Sequence, residues 1–399
     1  MATTIQSCTP FIPSENALSQ SSLPDKAVQL SAASARLAGR LAPATQVKLV
    51  LHMEVINSYY SNLIEGNRTL PHEIRAAQQG MLSKDPAKRD LQLESLAHIT
   101  VQHWISKQAP DLDALFTPEF IQSIHREFYQ AIPASLHELK STSGKVLDRI
   151  EPGCWRKKSV TVGPHHPPDS ESIHSLMSAF CKTYHPNNFK GDRKIVAAMC
   201  AHHRFAWIHP FADGNGRVMR LFTDTVLKTI GLESEGVWCL SRGLACDATQ
   251  YKSMLTRADN PRKGDLDGRG QLSEHALVEF CGFMLDTAID QVQYMSELLD
   301  LTNMQSRIYH YVQARNDGRI PRLGPLKETA SLILYNAFLQ GGLKRSVALE
   351  LCGATERSSR RLLSQLKEEG LLSETSSRSE LYWEIPEHAE PWYFPQLGP

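Results

Sequence analysis

Residues 209–220 read His209-Pro210-Phe211-Ala212-Asp213-Gly214-Asn215-Gly216-Arg217-Val218-Met219-Arg220. Upstream, Ile195, Val196, Met199, His203, Ala206 and Trp207 recur at helical spacing, which predicts a helix over 193–208 with Asp192 as its N-cap. Downstream, Val218, Leu221, Phe222 and Val226 carry the same period over 216–230, and Gly231 is placed to end that helix. The stretch is therefore a loop between two helices. Pro210 stops the first helix, while Gly214 and Gly216 free the backbone so that amides at the start of the second point outward. Unpaired donors and the helix dipole make such an end attractive to phosphate. Arg217 and Arg220 share a helix face beside it, and two guanidinium groups next to exposed amides suit a polyphosphate. Asp213 would repel that ligand unless it holds a divalent cation, Mg²⁺ or Mn²⁺, between phosphate oxygens. His209, with an unperturbed pKa of about 6.5, is suited to take a proton from an incoming hydroxyl. A glycine-rich turn with solvated arginines is the plain alternative. The combination of base, carboxylate, glycines and paired arginines favours a phosphoryl or nucleotidyl transfer site.

Working outward, the rest of the 399-residue chain reads as mainly α. Leu49, Met53, Ile56, Tyr60 and Leu63 form one face of a helix over 45–65, and further helical patterns cover 87–106, 117–131, 170–185 and 275–299. Val160, Thr161, Val162 and Gly163 alternate like a short strand before Pro164, and 259–274 reads as a polar loop. Residues 344–352 and 355–369 read as two helices around a turn at Gly353, and 371–385 as a small hairpin, the outline of a winged helix. The expected division is a flexible tail (1–28) in which Phe11 and Ile12 are candidates to dock, a helical region (29–110), a core (111–300) and a winged-helix-like domain (301–399).

Lys plus Arg (43) equals Asp plus Glu (43), so no global field drives the protein onto nucleic acid or an anionic membrane. DNA binding would need a local patch within 345–385, where Arg357, Arg360 and Arg361 are diluted by Glu350, Glu356, Glu368 and Glu369. The eight cysteines are scattered without a CxxC pair, and neither a signal peptide nor a membrane-spanning run is evident. The expectation is a soluble cytoplasmic protein with no membrane contact. His202 and His203 are expected to be structural.

The 209–220 segment resembles the Fic family signature HPFx(D/E)GNGRxxR at every defining position. The resemblance, extending over about residues 45–290, implies a Fic helical core with a small β-hairpin flap. It implies ATP as substrate and transfer of AMP to a Ser, Thr or Tyr hydroxyl of a target protein, and it admits self-modification and a homodimer. His209 would be the catalytic base and Asp213 the metal ligand. Gly214, Asn215 and Gly216 would cradle the anion, Arg217 and Arg220 would grip phosphates, and Phe211 would anchor the loop. Val160–Gly163 resembles the flap, and Tyr251 resembles the first aromatic of the YYxxL element near adenine, although Lys252 replaces the second. Ser61-Asn62-Leu63-Ile64-Glu65-Gly66 resembles the inhibitory (S/T)xxxE(G/N) motif, which implies that Glu65 pairs with Arg220 and autoinhibits transfer. Some family members also remove AMP, with the inhibitory Glu activating water. Two readings compete: a donor such as UTP, CDP-choline or GTP, and a nucleotide-sensing transcriptional or partner-binding regulator that works through the winged helix.

Overall fold

A computed structural model of the protein describes residues 5–140, 146–232, 234, 236–376, 378–395 and 397. The first helices are α1 (Glu15–Gln20), α2 (Leu23–Ala38), α3 (Pro43–Ile64), α4 (Pro71–Gln78) and α5 (Pro86–Gln108). Next come α6 (Leu112–Leu115), α7 (Pro118–Gln130) and an antiparallel pair, β1 (Glu138–Lys140) with β2 (Val146–Arg149). Helices α8 (Ile173–Tyr184), α9 (Arg193–Ile208), α10 (Asn215–Thr229), α11 (Leu240–Cys246), α12 (Ala248–Ala258) and α13 (Glu274–Leu298) follow. The chain ends with α14 (Leu301–Asn316), α15 (Ala330–Gln340), α16 (Arg345–Leu351), α17 (Glu356–Glu368), the pair β3 (Leu372–Ser373) and β4 (Tyr382–Trp383), and α18 (Glu390–Tyr393). No helix among the described residues is long and apolar enough to cross a membrane.

Two compact units result, one of Met1–Ser34, Asn57–Glu235 and Cys239–Gln291, the other of Ala35–Ile56, Gly236–Trp238 and Val292–Pro399. In the first unit α9 packs on α8 and α10, and α7 packs on α5 and α10. Sequence dictates α7 plainly: Thr117 caps the amide of Phe120, Pro118 takes the first turn, and Ile121, Ile124, His125, Phe128 and Tyr129 form the buried face. Helix α10 ends as expected, with Gly231 at φ +95° and the Leu232 amide reaching back to the Leu227 carbonyl. Phe180 of α8 is fully buried, with its ring 5.1 Å from Tyr184, 6.0 Å from Phe205 of α9 and 5.9 Å from Phe222 of α10.

Four expectations need correction. Residues 5–28 are not a flexible tail: Cys8, Leu18 and Leu23 are buried, Tyr184 donates to the Phe11 carbonyl, and Arg204 donates to that of Pro10. Only residues 1–4 of that segment lie outside the described residues. The boundaries at 29–110 and 111–300 do not separate compact bodies, because α5 buries itself against α7 and α10. Asp192 makes no side-chain cap on α9. Val160–Gly163 is not a strand; only one bridge forms, Val162 to His165, since no neighbouring strand is there to extend it. The antiparallel pair instead lies at β1 and β2, where Val146 and Leu147 are exposed.

In the second unit α14 packs on α15 and α18, and the Trp383 ring of β4 meets Phe338 of α15 at 5.1 Å. A bridge between Leu343 and Leu381 ties the segment before α16 to the strand pair. Helix, turn, helix and hairpin therefore follow in the expected order from 345 to 383. Arg360 is neutralised by Glu356, and Arg345 and Lys367 both pair with Glu374.

Replacing Phe180 by Ala leaves a cavity where three helices meet. We expect a loss of about 3–5 kcal/mol, read as a lower urea midpoint for the first unit with the second unit's transition unchanged.

Candidate functional site

Helix α9 ends at His209, whose backbone is left-handed at φ +49°, a conformation that non-glycine residues rarely hold without support. Arg156 supplies that support. It is almost fully buried, donates from Nε to the His209 carbonyl at 2.8 Å, and its amide donates to the Pro210 carbonyl at 2.9 Å. Its remaining nitrogens reach the Lys158 and Pro168 carbonyls. Burial, followed by the charge of Arg156, lowers the His209 imidazole from its ordinary 6.5 to about 4. His209 is thus neutral at physiological pH, a weaker base than the unperturbed side chain but in the proton-accepting form.

The loop after His209 is held from inside. Phe211 is fully buried and stacks on His125 of α7 at 4.0 Å and 4°. It anchors the loop from inside. Asn215 is also committed: its carbonyl accepts from the Phe211 amide at 2.9 Å and its amide donates to the Phe211 carbonyl at 2.8 Å. In this structure the Asn215 side chain closes the turn on Phe211. Gly214 caps α10 at φ +78°, and a side chain there would meet the Tyr129 ring at 3.0 Å. The first amides of α10, from Asn215 to Arg217, have no partner within the helix.

Asp213 sits at that opening with 48% of its side chain exposed. Its Oδ2 accepts from Tyr129 Oη at 2.6 Å and from Arg217 Nη2 at 3.1 Å, while His125 Nε2 meets its backbone carbonyl at 3.3 Å. The Gly153 amide donates to His125 Nδ1, so the imidazole proton is on Nε2. Burial raises the Asp213 carboxyl, but the charge of Arg217 and the Tyr129 hydrogen bond outweigh it and hold it below its ordinary range. Among the described residues no group of three or more His, Cys, Asp or Glu forms a metal cage. A single half-exposed carboxylate fits Mg²⁺ that completes its shell with phosphate and water.

Arg220 is 2% exposed and turned toward the end of α3. Its Nε donates to Ser61 Oγ at 2.9 Å, and its Nη2 donates to the Ser61 carbonyl at 2.9 Å and to Glu65 Oε1 at 2.7 Å. Glu65 Oε1 lies so close over Gly216 that a side chain there would overlap it. A carboxylate thus rests on the first turn of α10, where anions are favoured. Burial raises the Glu65 carboxyl, and the charge and hydrogen bond of Arg220 bring it below its ordinary value. Gly66, at φ +95°, turns the chain away after it. Lys252 donates to the Ile64 carbonyl at 3.1 Å, a cation at the C-terminus of α3.

Tyr251 is 2% exposed, and its hydroxyl meets His202 Nε2 at 2.7 Å while His202 Nδ1 meets Thr223 at 2.8 Å. It is buried in the core, with the charges of Arg220 and Glu65 nearby. His203 reaches Asp259 at 3.0 Å, so both histidines are structural. Val160–Gly163 lies at the surface beyond the Arg156 contacts and makes no bond to the loop of 209–220 among the described residues.

Sequence reading missed Tyr129, His125, Arg156 and Glu94. Glu94 of α5 lies 3.5 Å from Arg217 Nη1, and burial holds its carboxyl above its ordinary value despite that charge. The visible signal for the first two was their polarity on the apolar face of α7. Arg156 and Glu94 carried none.

Four buried imidazoles resist protonation: burial lowers His98, His125 and His202 to about 3 and His209 to about 4. The unfolded chain binds protons near 6.5 and the folded one does not, so stability is lost as pH falls below about 6.5. Thermal melting should drop steadily from pH 7 to pH 5, and the His209 NMR signal, assigned by its loss in His209→Gln, should keep its neutral shift over that range.

Residues 115–227 match the Fic/DOC family. The chain is 28% identical over 173 residues to the protein adenylyltransferase Fic of Aedes aegypti, covering 43% of this chain and 32% of that protein. It is 32% identical over 111 residues to the protein of the same name from Drosophila melanogaster, covering 27% of this chain and 23% of that one. The chain thus spans a third or less of the length of these relatives. A Fic-domain-containing signaling protein from Bacteroides thetaiotaomicron shares the fold with a TM-score of 0.51 at 19% identity, over 68% of this chain and 96% of that one. The residues that match the Fic/DOC family run from the end of α6 into α10 and include the whole loop from His209 to Arg220.

Proposed function

We propose that this protein is an adenylyltransferase that moves AMP from ATP to a Ser, Thr or Tyr hydroxyl of a protein and is held off by Glu65. The observation that carries the reading is the placement of neutral His209, Asp213 and two buried arginines around the open start of α10, within residues matching the Fic/DOC family. The names of the curated relatives support AMP as the transferred group.

In this reading His209 takes the proton of the target hydroxyl as its oxygen attacks the α-phosphorus, and the bond to pyrophosphate breaks. Arg156 positions the base by holding its carbonyl. Tyr129 and Arg217 fix Asp213 through a single carboxylate oxygen. Mg²⁺ bound at Asp213 would neutralise charge between the phosphates. Arg220 is unavailable to the nucleotide while Ser61 and Glu65 occupy it, which supports autoinhibition. Removal of AMP through Glu65 belongs to the same proposal. So does a reducing, cytoplasmic setting, which the eight free thiols support.

The regulator reading draws on exposed Arg357 and Arg361 of α17, but the pairing of Arg345, Arg360 and Lys367 with glutamates leaves a weak field for DNA.

With α-labelled ATP and Mg²⁺ in lysate, Glu65→Gly should incorporate at least about tenfold more label than wild type, and adding His209→Ala should return it to background. Equal labelling by wild type and Glu65→Gly would remove the inhibitory role. Nucleotide binding without transfer in Glu65→Gly would favour the regulator, and competition by UTP, GTP or CDP-choline identifies the donor.

A further inference from the structure

Glu65 is not the only carboxylate from outside the signature that reaches a signature arginine. Glu94, on α5, lies with Oε2 3.5 Å from Arg217 Nη1 and keeps 26% of its side chain exposed. Arg217 is buried on the Phe128 ring at 4.5 Å, with its second outward nitrogen on Asp213 at 3.1 Å. Its Nε is buried without a partner. Both nitrogens with partners are therefore committed to carboxylates.

Charge makes the consequence definite. Two guanidinium groups, Arg217 and Arg220, face three carboxylates, Asp213, Glu65 and Glu94, so the cradle carries a net negative charge. Mg²⁺ held at Asp213 would offset that carboxylate, and Glu65 and Glu94 are then the negative charges set against Arg220 and Arg217. Withdrawing or neutralising either one raises the attraction of the cradle for a polyphosphate.

The two carboxylates are also joined. Asn67 is two residues beyond Glu65, and its amide closes the turn on the Asn62 carbonyl at 3.0 Å. Its side-chain Nδ2 crosses to α5, donating to the Leu91 carbonyl at 2.8 Å and to Glu94 Oε2 at 3.4 Å. Asn67 is 4% exposed, and its Oδ1 is taken by the Thr69 amide and hydroxyl, so it is fixed in place. Because Asn67 both closes the turn after Glu65 and bonds α5, a movement that lifts that turn off Arg220 must strain or break the Asn67 bonds to Leu91 and Glu94.

We infer that Glu94 is a second positioning carboxylate, holding Arg217 away from the nucleotide's phosphates beyond the first, and that Asn67 couples its release to that of Glu65. The inference rests on the phosphate-binding part of the proposed function and not on transfer.

The test is binding of ADP and of AMP, each with Mg²⁺, by calorimetry to wild type, Glu94→Gln, Glu94→Ala, Glu65→Gly and the Glu65→Gly/Glu94→Gln pair. Glu94→Gln and Glu94→Ala should bind ADP about tenfold more tightly than wild type. AMP, which lacks the β-phosphate, should change less than about twofold. The double variant should gain less than the product of the single gains, as coupled release requires. Unchanged or weaker ADP binding in both Glu94 variants, with melting temperatures near wild type, would overturn the inference, because Glu94 would then be neutral or would hold Arg217 productively. Equal gains for AMP and ADP would also overturn it, since the effect would not act through Arg217. Tighter ADP binding with no transfer by Glu65→Gly would sink the transfer reading and leave the two-carboxylate lock standing.

Discussion

The burial of the Arg220 guanidinium is the constraint around which the site is arranged. A charge that is 2% exposed is tolerated only with partners, and the three acceptors of its hydrogen bonds, Ser61 Oγ, the Ser61 carbonyl and Glu65 Oε1, lie at the end of α3. Ser61 serves it twice, through hydroxyl and carbonyl, and Glu65 supplies the opposite charge. That demand pins the end of α3 over the first turn of α10, where Gly216 leaves room for the Glu65 carboxylate and no larger residue does. The glycine that leaves the helix start open to an anion thus admits the Glu65 carboxylate there.

A second set of contacts works on the loop from the other side. The left-handed turn at His209 points its carbonyl at Arg156, whose four contacts tie the base to the 158–168 segment. Phe211 and Asn215 stay inside, one stacked on His125 and one closing the turn on itself. The loop is therefore rigid through core packing, not through ligand contacts, and the groups left at its opening are Asp213 and the helix amides. Rigidity of this kind sets out the site before a nucleotide arrives.

Much of the helical order was legible because the apolar period is local. The positions of α3, α5, α7, α9, α10, α13, α16 and α17 follow from residues spaced three and four apart. The docking of residues 5–28 was legible only at Phe11 and Ile12, of which Phe11 meets Tyr184; the other anchors, Arg204 and Glu274, are distant in the chain. Val160–Gly163 misled for the opposite reason: β-branched residues alternate there, but a strand exists only where another strand accepts its bonds. The hydrogen bond between the Tyr251 hydroxyl and His202 was not legible either, because the two residues lie 49 positions apart in the chain.

The sequence by itself set out which groups are candidates for the chemistry: His209, Asp213, Arg217 and Arg220 stand within one loop and the helix start that follows it, so identity and spacing bring them together. It also named Glu65 as a partner for Arg220. Only the tertiary structure decided the state of those groups. The low pKa of His209 needs the burial and the Arg156 charge around it, Asp213 takes its orientation from Tyr129 on another helix, and Glu94 meets Arg217 because α5 lies against α10. The reason is physical: a residue's type fixes what it can bond to, while its charge and availability depend on desolvation and on neighbours that the chain brings together only by folding.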